Sequence, residues 1–365
     1  MRKIKLLAIG LIILMSLTLL AGCGGGSSSN NNTAPPATTT PPETTTPPPA
    51  TTTPPPAPAT PAAPSVTIRV GHVLAPDHPY QLGLEDFGRR VSEKTNGNVT
   101  VEVFHSSQLG NERDLIEGLQ LGTVEMCIVS TAPLSSFTTQ FMVFDLPFIF
   151  SETVKTREIL DSSIGQNILD TLDEQGIVGL CYFENGFRNI TNNVRPITKP
   201  EDLQGLKIRT MESPIHMASF RAMGADPTPM ALGELFTALQ QHTVDGQENP
   251  LAIINTSKFY EVQEYLSLTE HFYAPAPLLI AKSFFDGLDA ATQNAIREAA
   301  LESRDYERGL LDEMNTKLKD ELEAAGMEVN TVDKQVFIDA VQSVYTEYEG
   351  QIGADLIKQV QDAQK

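Results

Sequence analysis

From Val66 onward, short apolar stretches alternate with amphipathic ones, and the segments between successive apolar stretches are too long for hairpins. Val66–Val70 reads as a strand. Tyr80–Lys94 reads as a helix, because Leu84, Phe87 and Val91 recur at helical spacing with Glu85, Arg89, Arg90 and Glu93 between them. Asn96-Gly97 closes it. Val99–Phe104 alternates as a strand, Asn111 caps a helix carrying Leu115, Ile116 and Leu119, and Glu125–Ser130 forms another short apolar strand. Strand, helix and strand in this order imply parallel pairing and an α/β fold.

The pattern continues with strands at Gly176–Phe183 and Leu206–Thr210, and helices at Glu152–Gln175, Pro214–Met223 and Leu232–Gln241. A long helical stretch runs from Asp289, which caps it, to Ala325, with Gly326 as its stop and Gly309 as a place to bend or break. A last helical region starts at Asp333. About 300 residues are many for one core, so two lobes are expected, with the long helix able to run across both.

The first 65 residues have a different character. Arg2, Lys3 and Lys5 precede an apolar run from Leu6 to Leu20, and Leu20-Ala21-Gly22-Cys23 follows. A basic start, a short apolar stretch and small residues at the cut form a secretory signal, and a Cys directly after Leu-Ala-Gly is similar to the lipobox of bacterial lipoproteins. The expectation is a signal peptide over 1–22, a lipidated Cys23 anchoring the chain to the outer face of the cell membrane, and a tether over 23–65. That tether is Gly, Ser, Asn, Thr and Pro with Glu43 as its one charge, and such a composition builds no core.

Composition narrows the function. The formal net charge of −20 disfavours a phosphate backbone as partner, so no nucleic acid is expected. The six histidines (His72, His78, His105, His216, His242, His271) include no tight ligand pair, so no metal is expected. Neither a Gly-x-Ser-x-Gly elbow nor a Walker loop occurs. Cys127 and Cys181 lie in apolar strands, where a free cysteine is a small hydrophobe; a disulfide between them is the other reading. With no catalytic constellation and no cofactor motif, a binding protein is favoured over an enzyme.

The informative stretch is residues 184–250. Glu184-Asn-Gly-Phe-Arg188 carries a turn signal next to an Arg. Leu203-Gln-Gly-Leu-Lys-Ile-Arg209 places Arg209 on the strand face opposite Leu206 and Ile208. With Ser106–Gly110, Phe144-Asp-Leu-Pro-Phe148, Pro227-Thr-Pro-Met230, Asp245-Gly-Gln-Glu-Asn-Pro250 and Lys258–Val262, these segments stand in an order that resembles the solute-binding subunits of tripartite ATP-independent periplasmic (TRAP) transporters, the DctP-like family. The resemblance runs from about Val66 to about Met327.

It implies a two-lobe clamshell with a long helix spanning both lobes. Lobe one would hold about 66–186 and 275–312 and lobe two about 187–274, with C-terminal helices across both. It implies capture of an organic acid (a C4-dicarboxylate, keto acid or sugar acid) and delivery to the TRAP permease subunits in the membrane. A sensor kinase or an ATP-driven importer served by the same fold is the alternative. Arg209 matches the family's carboxylate clamp, Arg188 a second cleft-facing Arg, and Asn249 a ligand-bonding Asn. His72, Glu112 and Ser130 fall where lobe-one contacts are made in relatives. Ser130 stands where the sialic-acid branch has a Glu, which argues against a sialate. Three positions keep a second reading: Glu112 as a helix N-terminal acid, His72 as a satisfied histidine at a strand end, and Glu212 as either a ligand hydroxyl acceptor or an ion-pair partner of Arg209.

Overall fold

The computed structural model describes residues 65–365. The expected signal peptide, Cys23 and the tether lie outside the described residues, apart from Ser65. Nine strands form one sheet: β1 Val66–Gly71, β2 Val99–Phe104, β3 Met126–Ile128, β4 Ile177–Asn192, β5 Lys207–Thr210, β6 Asp226–Pro229, β7 Gly246–Pro250, β8 Tyr265–Ala281 and β9 Glu328–Thr331. Their order is β2-β1-β3-β8-β4-β7-β5-β6, with β9 beside β8. β1 pairs parallel with β2 and β3, and β5 pairs parallel with β6 and β7, as the strand–helix–strand rhythm requires. Between these two parallel groups lie β4 and β8, antiparallel to each other and, at 16 and 17 residues, each roughly 50 Å long. The molecule is thus two α/β lobes sharing two central strands.

Side chains alternate across the sheet and feed two cores, one on each face. Met126 and Ile128 join Ile68, Val70 and Phe87 on one side; Cys127 and Val129 join Phe141, Phe144 and Leu279 on the other. Cys127 and Cys181 are buried and free, so the disulfide reading is corrected. The long helix spans Ala290–Ala324, 35 residues and about 52 Å, and passes through Gly309 without a break. Asp289 caps it by accepting from the Ala291 and Thr292 N–H groups. It packs on the helix Pro79–Lys94 at one end and on the helix Leu251–Thr256 and β9 at the other, so it bridges both lobes.

Two expectations on elements need correction. The segment 152–175 is not one helix but two, Thr153–Asp161 and Ser163–Asp170, followed by a 3-10 turn. Ser162 caps the second by accepting from Ile164 N, and the Gly165 backbone comes so close to the Leu160 carbonyl that a Cβ there would sit 2.0 Å from it. The strand expected to end at Phe183 continues to Asn192, because Gly186 takes a positive φ of 94° as a bulge instead of reversing the chain. The C-terminal region is three helices, Lys334–Ala340, Gln342–Ile352 and Ala354–Ala363.

The two long strands are irregular where the lobes meet. Register slips between Glu184 and Gly186 and again between Arg188 and Ile190. Arg188 faces Phe272 and Ile190 faces Ser267, so β8 bulges over Leu268–His271, with Glu270 at a φ of 47° and its N–H donated to Asn189 Oδ1.

Candidate functional site

The ends of β1, β3, β5 and β7 converge on one small, closed cavity between the lobes. Its polar lining is Tyr80, Glu112, Ser130, Arg188, Arg209 and Asn249; Val73, Leu74, Met211, Leu232 and Ile253 supply its apolar wall. An adjoining pocket that shares Val73, Glu112, Arg209, Met211 and Leu232 with it adds Asn111, Arg113 and Glu212 at the mouth. Five residues expected at the site, Arg209, Arg188, Asn249, Glu112 and Ser130, are therefore brought together.

Arg188 is 1 % exposed and firmly held. Its Nε donates to Glu248 Oε2 (2.5 Å), and its Nη2 donates to Glu248 Oε1 (2.7 Å), the Glu248 carbonyl (2.7 Å) and Asn249 Oδ1 (3.1 Å). This is a two-pronged guanidinium–carboxylate pair in a dry interior. Burial alone would raise the Glu248 carboxyl, but the Arg188 charge and its hydrogen bonds, with the His271 imidazole close by, hold it far below the usual range. His271 Nε2 stands 3.3 Å from Glu248 Oε2, and its Nδ1 is 2.7 Å from Thr269 Oγ1. Asn249 Nδ2 donates to Gln247 Oε1 (2.5 Å), whose amide donates on to Thr191 Oγ1 (2.8 Å). The Nη1 of Arg188 has no partner among the described residues and is left for the cavity.

Arg209 is equally buried, at 2 %, but differently supported. Its Nε and Nη2 both donate to the Met230 carbonyl, at 2.9 and 2.6 Å, and it forms no ion pair among the described residues. Burial pushes its guanidinium down to about 10, against an opposing pull from Glu248. Fixed by a carbonyl and lacking a counter-ion, its Nη1 edge is a cation awaiting an anion.

Across the cavity, Glu112 is the first residue of the helix Glu112–Leu121, whose capping box joins Asn111 and Asp114. Glu112 Oε1 accepts from Ser130 N at 2.6 Å. Burial raises its carboxyl above the ordinary value, opposed by the Ser130 N–H and hydroxyl and by the two Arg charges. Ser130 Oγ in turn accepts from Asn185 Nδ2 (3.1 Å). Tyr80 is 1 % exposed, and its hydroxyl is buried without a partner.

Two expected positions fare differently. His72 is not brought into the cavity: it is fully buried, with Nε2 on Gln81 Oε1 (2.9 Å) and Nδ1 accepting from Leu74 N (3.3 Å). Burial lowers it to about 4, so it is a neutral, satisfied strand-end histidine. Glu212 lines only the mouth, exposed and without an ion-pair partner among the described residues. Sequence reasoning missed Tyr80, Glu248 and His271. Glu248 lay within the quoted Gln-Glu-Asn segment; its signal was a charge flanked by apolar and amide residues in a buried strand. Ser213, His216 and Asp145 also converge, but Ser213 Oγ donates to Asp145 Oδ2 (2.7 Å) rather than to the imidazole, so no activated nucleophile results. Among the described residues no cluster of His, Cys, Asp or Glu is placed to hold a metal, and no helix is long and apolar enough to cross a membrane.

Two α/β lobes on shared strands, closing around two buried Arg residues, define a two-lobe solute-binding protein. The chain belongs to the bacterial extracellular solute-binding protein family 7, DctP, which its residues 70–351 match. It is 35 % identical over 311 residues to the 2,3-diketo-L-gulonate-binding periplasmic protein YiaO of Escherichia coli, covering 84 % of this chain and 94 % of that one. Among solved structures, it is similar to the sugar acid binding protein DctPAm of Advenella mimigardefordensis in complex with galactonate (TM-score 0.81, 38 % identity, 82 % of this chain and 98 % of that one). It is also similar to a TRAP periplasmic solute-binding protein of Polaromonas bound to D-erythronate (TM-score 0.80, 38 % identity, 81 % and 98 %). These are transport proteins that bind a solute without transforming it, and this chain is a TRAP-type solute-binding protein, not an enzyme.

Proposed function

We propose that this chain captures an organic acid outside the cytoplasmic membrane, holds its carboxylate on the free edges of Arg209 and Arg188, and delivers it to the membrane subunits of a TRAP permease. The observation that carries this reading is Arg209: buried, charged, tied to one carbonyl and without a counter-ion. A carboxylate supplies the missing charge in a geometry matched to the guanidinium fork. Asn249, held between Arg188 and Gln247, lies beside the same space. The relatives named for galactonate, D-erythronate and 2,3-diketo-L-gulonate support an organic acid as the solute.

The proposed lobe boundaries are 66–186 and 275–312 for lobe one and 187–274 for lobe two, with the C-terminal helices across both. The slip where Glu184 faces Pro275 and Gly186 faces Ala274 supports a hinge there. We further propose that Cys23 carries a lipid that anchors the protein to the membrane face, on the strength of Leu20-Ala21-Gly22-Cys23. Thermal shift of the full chain against a panel of mono- and dicarboxylates tests the solute reading. A rise in Tm with one acid class is expected, and no rise with any acid contradicts it. Labelling with palmitate tests the anchor, and incorporation that persists in Cys23→Ala contradicts it.

A further inference from the structure

We propose that the site selects a monocarboxylate bearing hydroxyl groups over a C4-dicarboxylate, with Glu112 as the residue that accepts a ligand hydroxyl and turns away a second carboxylate. This rests on the proposed capture of an acid by Arg209 and Arg188.

The argument is a balance of charge and hydrogen-bond capacity. Four ionisable groups with formal charge bound or back the cavity: Arg188, Glu248, Arg209 and Glu112. Arg188 is already neutralised by both oxygens of Glu248, so it presents N–H donors but no net charge. That leaves Arg209 as the one cavity cation without an ion-pair partner, with Glu112 as the remaining anion; one carboxylate can pair with Arg209. Beyond the paired Arg188, no other cation lines the cavity; Arg113 lies at its mouth, where it pairs with Glu117 (2.9 Å). A dicarboxylate would therefore put its second charge near Glu112 in a closed, poorly solvated space, where like charges repel strongly.

The groups left over ask for hydroxyls instead. Glu112 uses Oε1 on the Ser130 N–H and makes no ion pair with either guanidinium, leaving Oε2 as an acceptor. Tyr80 lines the cavity, and its hydroxyl is buried without a partner. A buried polar atom without a partner is destabilising until something meets it. A ligand hydroxyl donates to Glu112 and exchanges a hydrogen bond with Tyr80; a methylene or a carboxylate cannot do both. Leu74, Met211, Leu232 and Ile253 supply the apolar part of the lining.

The test is calorimetric titration of the full chain with D-erythronate, D-galactonate and D-gluconate against succinate and fumarate. At least one of the three hydroxy acids is expected to bind at least tenfold more tightly than both dicarboxylates. Glu112→Gln keeps an acceptor for Ser130 N, and is expected to weaken that hydroxy acid and tighten succinate, narrowing the gap tenfold or more. Tyr80→Phe, which removes only an unpaired hydroxyl, is expected to weaken the hydroxy acid severalfold and leave succinate unchanged. Tighter binding of a dicarboxylate by the wild type, or an unchanged ratio in both variants, overturns this inference while leaving Arg209-dependent acid capture standing. Failure of every acid to bind overturns both.

Discussion

Arg188 and Arg209 have the same side chain and nearly the same burial, yet replacing each by Met should have very unequal consequences for the ligand-free fold. Arg188→Met leaves Glu248 ionised in a dry interior beside His271, having lost both prongs of its pair. Breaking such a buried pair from one side costs about 3–5 kcal/mol. Arg209→Met removes a cation that has no counter-ion. The fall of its guanidinium from 12.5 to about 10 corresponds to roughly 3 kcal/mol against the charged form at neutral pH. Against that relief stands the Met230 carbonyl, which loses its partner at about 1–3 kcal/mol. The two terms nearly cancel, so Arg209→Met should stay within about 2 kcal/mol of the wild type.

In a chain of this size 1 kcal/mol moves Tm by about 2–4 °C, so Arg188→Met should lose roughly 6–20 °C and Arg209→Met no more than about 4–8 °C. The assay is thermal and urea denaturation without ligand, because a bound acid would add stability of its own. Adding Glu248→Met to Arg188→Met should restore much of the loss. An Arg209→Met drop as large as that of Arg188→Met, or no recovery in the double variant, refutes the reasoning.

Three further outcomes follow from the same structure. His72 and His78 are buried neutral, lowered to about 4 and about 3 by burial, so the unfolded chain takes up protons near pH 6.5 that the fold refuses. These two histidines, with His271, should pull stability down as pH drops from 6.5 towards 4, opposed by the raised carboxyls of Glu112, Glu184 and Glu307; a urea midpoint that rises over that range contradicts their dominance. In a Cys23→Ala background, Cys127 and Cys181 should resist a thiol reagent until the chain unfolds, since both are buried and Cys181 is pushed up to about 12; rapid native labelling of either argues against the core described. Asp289→Ala removes acceptors from the Ala291 and Thr292 N–H groups and should cost about 1 kcal/mol by urea denaturation, whereas no measurable loss would mean the cap contributes nothing.

Much of this architecture is readable from local chemistry. β1, β2 and the helix Glu112–Leu121 lie where alternation and the Asn111 cap place them. What escapes is the pair of long strands. Glu184-Asn-Gly carries a turn signal, and Gly186 does take a positive φ, but pairing with β8 carries the strand through the kink. Pro275 and Pro277 argue against a central strand in any local reading; in the fold they stand opposite Glu184 and Tyr182 along the irregular part of the ladder. The cavity divides similarly. Arg209 and Arg188 are visible as cations in strands, but their difference is not, because it depends on Glu248 and Met230, which reach them only through tertiary packing. For His72 the sequence leaves two readings open, and the choice depends on Gln81 in the following helix, which satisfies it.

The central claim is that Arg209 is the carboxylate anchor. Its most direct test is the dissociation constant of Arg209→Lys for whichever acid stabilises the wild type. Lysine keeps the charge but cannot hold Met230 and grip a carboxylate with a planar fork. Loss of one charged hydrogen bond, about 1.5–3 kcal/mol, predicts Kd rising roughly tenfold to a hundredfold with the fold intact. An unchanged Kd would show that the acid is held elsewhere.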